Sequence, residues 1–234
     1  MLIIVLMAVC FVFFFPAGGK RNKNRFIEIA ASLWDAGLFR AAATGDLDAL
    51  KKQLDSGSNP NIRDYEGKSA LVYAASSGQA DAVRILISYG AEVDAPFDSD
   101  YRTALGEAVH KGYADVVKVL LENRANPDKG ARGDESGTPL MYAAARGYVD
   151  IVRLLLNAGA KVNTVDMFGK TAKDYAQASL QDPHVVALIL QRASEEPAVR
   201  SSGKWLTSEE EVRAALSQII SLLSQAEKSE KNAQ

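Results

Sequence analysis

Few residues in this chain are of types that do chemistry unaided. There are two histidines, His110 and His184, and one cysteine, Cys10. A single cysteine forms no intramolecular disulfide, and the set is too small for a Cys-based zinc site or an iron–sulfur cluster. No nucleophile stands beside a base. Ser56-Gly57-Ser58 reads as a helix end, not a nucleophile elbow. Gly18-Gly19-Lys20 lacks the rest of a phosphate-binding loop and follows an apolar segment. His110 reads as a contact residue on the exposed end of a helix, and His184, beside Pro183, as structural or solvated. The expectation is a protein that is not an enzyme and takes no cofactor, metal or small-molecule substrate.

Stepping from single residues to the whole, the 234 residues are 47% hydrophobic and 24% charged, enough for one or two domains. The net charge of −2 supplies no overall field to gather nucleic acid, so no nucleic-acid partner is expected. Charge is uneven along the chain. Residues 20–25 carry four positive charges, residues 26–193 hold 18 basic against 22 acidic side chains, and residues 194–234 hold 5 against 7.

Leu2 to Phe15 read LIIVLMAVCFVFFF, fourteen residues whose only polar side chain is the thiol of Cys10. A core helix would show a polar face, so residues 1–19 read as a signal peptide or a membrane anchor. Ala17 and Gly19 form a small-x-small cleavage pattern, which favours a cleaved signal. The positive charges all follow the apolar run, which favours an anchor with the N-terminus outside and the rest of the chain cytoplasmic. Both readings stand: membrane association through residues 2–19 if they are uncleaved, or export to the periplasm or outside the cell after cleavage. Val9 is too large for a lipoprotein site before Cys10, which reads as part of the apolar core. Residues 20–34 form a basic juxtamembrane segment and linker helix, with Phe26, Ile29, Ala30 and Leu33 on one face.

The middle of the chain repeats itself, and such periods are sought before local structure. Residues 67–95 (GKSALVYAASSGQADAVRILISYGAEVDA), 101–128 and 137–164 align. A loop glycine recurs at Gly45, Gly78, Gly112 and Gly147, spaced 33, 34 and 35 residues apart. A polar unit end recurs with the same spacings at Asn61, Asp94, Asp128 and Asn163, and an apolar anchor at Leu50, Val83, Val117, Val152 and Val186. Each unit reads as two helices. The first starts after Ser69, Thr103, Thr138 or Thr171, whose hydroxyls can accept from early helix N–H groups. Alanine pairs such as Ala74-Ala75 let neighbouring units approach closely. The second helix is aliphatic and ends at Gly57, Gly90 or Gly159, with Arg124 in the equivalent left-handed place at a cost of about 1 kcal/mol.

At these residues the chain resembles the ankyrin repeat family, most closely in Thr138-Pro139-Leu140-Met141-Tyr142-Ala143. The resemblance covers residues 35–193 and implies an all-α solenoid of three central repeats and two degenerate caps, with projecting loops; the apolar run places an N-terminal hydrophobic helix before it. Val72, Gly106, Met141 and Asp174 replace the family's signature histidine, so its bond to the threonine is expected to be missing. Residues 194–206 read as a linker. From Thr207 to Gln234 the chain reads as a C-terminal amphipathic helix and a disordered tail, opened by a Thr207–Glu210 capping box. Its stripe of Val212, Leu216, Ile219, Leu223 and Ala226 either packs on the open end of the solenoid, or binds a partner, or drives self-association as a structural scaffold.

The resemblance also implies a function: binding a partner protein of unknown identity, as scaffold, regulator or inhibitor, through a concave surface and its loop tips. On this sequence the tips are Tyr65, Glu66 and Lys68, then Phe97, Asp98, Asp100, Tyr101 and Arg102, then Arg132 and Glu135, then Met167 and Phe168. The matching first-helix positions are Ser77, His110, Lys111 and Arg146. The expected docking edge is formed by residues 65–68, 97–102 and 132–135, with the irregular loops at its middle, and replacing Tyr101 and Arg102 together is expected to abolish capture with the fold intact.

Overall fold

The computed structural model describes residues 37–98, 102–129, 137–195, 200–201, 204–205 and 208–232. The apolar segment 1–19 and the basic segment 20–34 lie outside the described residues. Among the described residues, no helix is long and apolar enough to cross a membrane.

Each first helix begins where the sequence expects it. Ser69, Thr103, Thr138 and Thr171 hold extended backbone, and their hydroxyls accept from the N–H three residues on. The helices are residues 37–44 (α1), Leu47–Asp55 (α2), Ala70–Ser76 (α3), Ala80–Ser88 (α4), Ala104–Lys111 (α5), Ala114–Glu122 (α6), Pro139–Ala145 (α7), Val149–Asn157 (α8), Ala172–Gln181 (α9) and Pro183–Glu195 (α10). A long helix, α11, spans Glu209–Asn232. Between the two helices of a unit the chain reverses through a glycine at positive φ, from 72° to 76° at Gly45, Gly78, Gly112 and Gly147. Arg124 takes the left-handed place at φ 65°, where the other units use glycine.

Units stack in two layers. In the first layer α3 packs on α5, α5 on α7 and α7 on α9; in the second α2 packs on α4, α4 on α6 and α6 on α8. Leu71, Leu105 and Leu140 fill the gap between layers from one side, and Leu86, Leu120 and Leu155 from the other; all are buried. The polar unit ends tie neighbours together. Asn61 Oδ1 accepts from Glu92 N (2.8 Å), Asp94 from Asn126 N (3.1 Å) and Asp128 from Lys161 N (2.9 Å). Each bond closes a loop amide that a helical stack otherwise leaves to water.

The fifth unit departs from this plan. No glycine reverses the chain after α9, which runs ten residues before Asp182 and Pro183 redirect it into α10. It is α11 that lies along α8 and α9, with α10 beside it. Arg213 donates to the Leu180 carbonyl (3.0 Å) near the C-terminal end of α9, while Lys173 near its start pairs with Glu227 (2.9 Å). Glu230 accepts from Val162 N (3.2 Å) and Asn163 Nδ2, closing the polar ladder where no further unit follows. So α11 runs antiparallel to α9 and parallel to α8, which is the slot of a second-layer helix. The expectation that residues 183–193 complete the last repeat is corrected accordingly. Val212, Leu216, Ile219 and Leu223 are all fully buried in that slot. The stripe is thus spent within the chain, which removes the surface that self-association would use.

Smaller corrections follow the same physics. Ser208 stands at the start of α11, its hydroxyl accepting from Glu211 N (3.2 Å), while Thr207 of the expected Thr207–Glu210 box lies outside the described residues. The expected disordered tail is helical through Asn232, held by Glu227 and Glu230. Within the expected linker, Arg200–Ser201 (β1) and Lys204–Trp205 (β2) form a two-residue antiparallel ladder. Helix α10 also extends two residues into that linker.

Candidate protein-binding face

The loop between units is a finger, built on an aspartate. In the first finger Asp64 N donates to the Lys68 carbonyl (3.0 Å), and Asp64 Oδ1 accepts from Glu66 N (2.8 Å) and Lys68 N (2.9 Å). Asp64 Oδ2 accepts from the Tyr73 hydroxyl (2.6 Å), which pins the finger to α3. The fourth finger repeats this atom for atom. Asp166 accepts from Phe168 N and Lys170 N (both 2.9 Å) and from the Tyr175 hydroxyl on α9. The hydrogen bond to Asp64 pushes Tyr73 up to about 12, helped by burial; Tyr175 rises to about 12 in the same way through Asp166. The bond from Tyr175, with backbone donors behind it, holds Asp166 below the usual carboxylate range although burial works against it.

Gly67 completes the first finger. Its φ is +79°, and a Cβ there would lie 2.2 Å from the Phe97 carbonyl oxygen of the next finger. Adjacent fingers therefore touch through backbone.

The second finger is pinned by charge. Asp98 accepts from Arg102 N (3.0 Å), and the Arg102 guanidinium bridges Asp98 and Glu107 Oε1 (2.9 Å) on α5. Glu107 holds the place that Tyr73 and Tyr175 hold elsewhere. Arg102 is therefore part of the scaffold, and replacing it should disturb the finger. The expectation for Phe97 is corrected. It is 4% exposed, on the inward leg of the finger, with the Arg102 guanidinium 4.9 Å above its ring. Asp100, Tyr101, Arg132 and Glu135 lie outside the described residues.

Other expected contact residues are exposed. Tyr65 is 95% exposed, and Met167 and Phe168 are 62% and 70% exposed, joined by Val165. Glu66 is exposed and pairs with the half-buried Lys68 at 2.6 Å, which raises the Lys68 pKa against the opposing effect of burial. Ser77 caps the end of α3 and is half-buried. His110 and Lys111 end α5, and Arg146 ends α7. The His110 and Tyr142 rings lie 5.0 Å apart. The Arg146 guanidinium stacks 4.8 Å over the Tyr142 ring and donates to its hydroxyl (2.6 Å).

The expected loss of the threonine partner holds in two units of four. Asp174 Oδ2 accepts from Thr171 N (2.8 Å) and its hydroxyl (2.7 Å), and Met141 Sδ from Thr138 N (3.3 Å). Asp64, Tyr73, Glu107, Tyr142, Asp166 and Tyr175 are functional positions that residue type alone does not single out. The recurring Asp-to-Tyr spacing of nine residues at 64/73 and 166/175 was the signal that could have found four of them. No group of three metal-ligating side chains exists among the described residues.

Comparison with known proteins agrees with this geometry. A family model for ankyrin repeats in three copies matches residues 38–132, and a single ankyrin repeat matches residues 137–167. The chain belongs to the ankyrin repeat family. It is similar to the neurogenic locus notch homolog protein 1 of Xenopus tropicalis, 36% identical over 134 residues, which are 57% of this chain and 5% of that protein. An ankyrin repeat-containing protein of Treponema pallidum (strain Nichols) is 32% identical over 167 residues, 71% of this chain and 55% of its own. Mouse "Ankyrin repeat, SAM and basic leucine zipper domain-containing protein 1" is 36% identical over 110 residues, 45% of this chain and 22% of its own. The chain thus spans about half of the treponemal relative and a small part of the others.

Proposed function

We propose that this chain is a non-enzymatic protein-binding module that grips one partner through its fingers and the first-layer helices. The observation that carries the reading is the pinning of the first and fourth fingers. It holds Tyr65 and Phe168 in the open on rigid loops, so little side-chain and loop ordering opposes binding. The family supports it, since stacked repeats present extended surfaces used for binding. The docking edge keeps Tyr65 and shifts from 97–102 to the ends of α5 and α7 and to Met167 with Phe168, because Phe97 and Arg102 serve the scaffold.

The module works at a membrane or beyond one. The apolar run at residues 2–19 supports this, and the basic residues 20–25 favour an anchor with the repeats cytoplasmic; export after cleavage is the second reading. Affinity capture from the native source tests the binding. Tyr65→Ala with Phe168→Ala should lose the partner while the circular dichroism spectrum is unchanged; full capture by that variant rejects this face. Protease access to tags at each terminus, with the mass of the mature N-terminus, separates anchor from signal.

A further inference from the structure

Among the described residues, charge on the binding face is lopsided once its internal pairs are set aside. Every acid that pins a finger is already met: Asp64 by Tyr73 and two amides, Asp98 and Glu107 by Arg102, Asp166 by Tyr175. Two cations at the ends of the first-layer helices are not. Lys111 and Arg146 have no carboxylate within ion-pair distance among the described residues. They occupy the same place on adjacent helices, eight residues after Thr103 and Thr138. Packed helices stand about 8–10 Å apart, and an extended chain advances about 3.3 Å per residue. A peptide crossing from α5 to α7 therefore meets the two charges about three residues apart.

The row continues to Ser179 on α9, and between Arg146 and Ser179 opens a groove of about 230 Å³. Its walls are Tyr148, Val185, Leu188 and Ile189, and Leu188 is 48% exposed. The groove exists because α10, displaced by α11 from the second layer, leaves an apolar side facing the end of α7.

Resting on the binding role above, we infer that the partner segment is an extended acidic peptide. Two of its carboxylates, three residues apart, meet Lys111 and Arg146, and a large apolar side chain two or three residues later enters the groove beside Leu188. The charges select the class, since a basic peptide would leave both cations facing like charge. Tyr142 beneath Arg146 holds the guanidinium in place, so less freedom is lost when a carboxylate arrives.

Selection of random dodecapeptides displayed on phage against the full chain tests this. The enriched peptides should share two carboxylates three positions apart, followed by a large apolar residue. A synthetic peptide of that pattern should bind about tenfold more weakly to Lys111→Gln and to Arg146→Gln. Lys111→Gln should keep the parent's thermal unfolding curve, and Arg146→Gln, which also loses its contact with Tyr142, should unfold cooperatively at a slightly lower temperature. Leu188→Asp should remove the apolar preference and leave the acidic one, and Lys111→Glu with Arg146→Glu should turn selection toward basic peptides. Enriched peptides without carboxylates, or an acidic preference that survives both glutamine variants, overturn the inference while leaving protein binding in place. No enriched peptide at all overturns both. A labelled single-stranded oligonucleotide, bound by the parent and released by the glutamine variants, with no acidic peptide enriched, would assign the cations to nucleic acid instead.

Discussion

The first four helix pairs and the fifth reach the same architecture by different routes. In the first four, a glycine reverses the chain and the second helix follows at once. In the fifth, α9 lacks that glycine, and the second-layer slot is taken by α11, which begins after residue 208. The two regions show that a repeat is defined by the slot that needs filling. A stack must end on something that covers its last apolar face, and any amphipathic helix of the right stripe and direction can serve. The polar ladder makes the same point, since Glu230 from α11 meets Asn163 where the next unit would stand.

The largest expected effect tests that equivalence. Leu216→Ala in α11 should cost about 2–5 kcal/mol, as much as Leu86→Ala in α4, because both side chains are fully buried between layers. Chemical denaturation measures both; a cost below about 1 kcal/mol for Leu216 alone would break the comparison. Gly67→Ala should come next, at about 2 kcal/mol, combining left-handed strain with a clash against the Phe97 carbonyl. Gly169→Ala sharpens the contrast. Its φ is +69° but no atom lies near its Cβ, so it should cost only about 1 kcal/mol.

Within the regular region, Arg124→Gly should stabilise the protein by about 1 kcal/mol, because it brings the third unit into line with Gly57, Gly90 and Gly159. A lower melting temperature for this variant would contradict that. A pH dependence is shared by both regions. Tyr73 and Tyr175 sit at about 12 in the folded chain and near 10 when unfolded. The fold favours the protonated phenol. The resulting stability is therefore complete below pH 10 and is lost as pH rises through 12. Tyr73→Phe and Tyr175→Phe should each flatten the decline between those values, read from denaturation midpoints against pH.

What is local was legible in the sequence. Helix starts at Ser69, Thr103, Thr138 and Thr171, the glycine reversals and the strained Arg124 each depend on a few neighbouring residues. The ladder at Asn61, Asp94, Asp128 and Asn163 was legible as a pattern but not as a set of bonds, because the partners lie one unit away. The position of α11 was not legible. Its stripe says that it must be buried, while which face accepts it depends on the direction α10 takes after Pro183. The binding face divides in the same way. Tyr65 and Phe168 are exposed as their places at finger tips suggest, whereas Phe97 turns inward and Arg102 is claimed by Asp98 and Glu107.

The most direct measurement places a photo-crosslinking amino acid, in cells, at Tyr65, Lys111 or Phe168 on the finger side and at Arg84 or Lys118 on the second-layer helices. The account predicts adducts with one and the same protein from the first three positions and none from the other two. Adducts from Arg84 and Lys118 alone, or different proteins at each finger-side position, would contradict it.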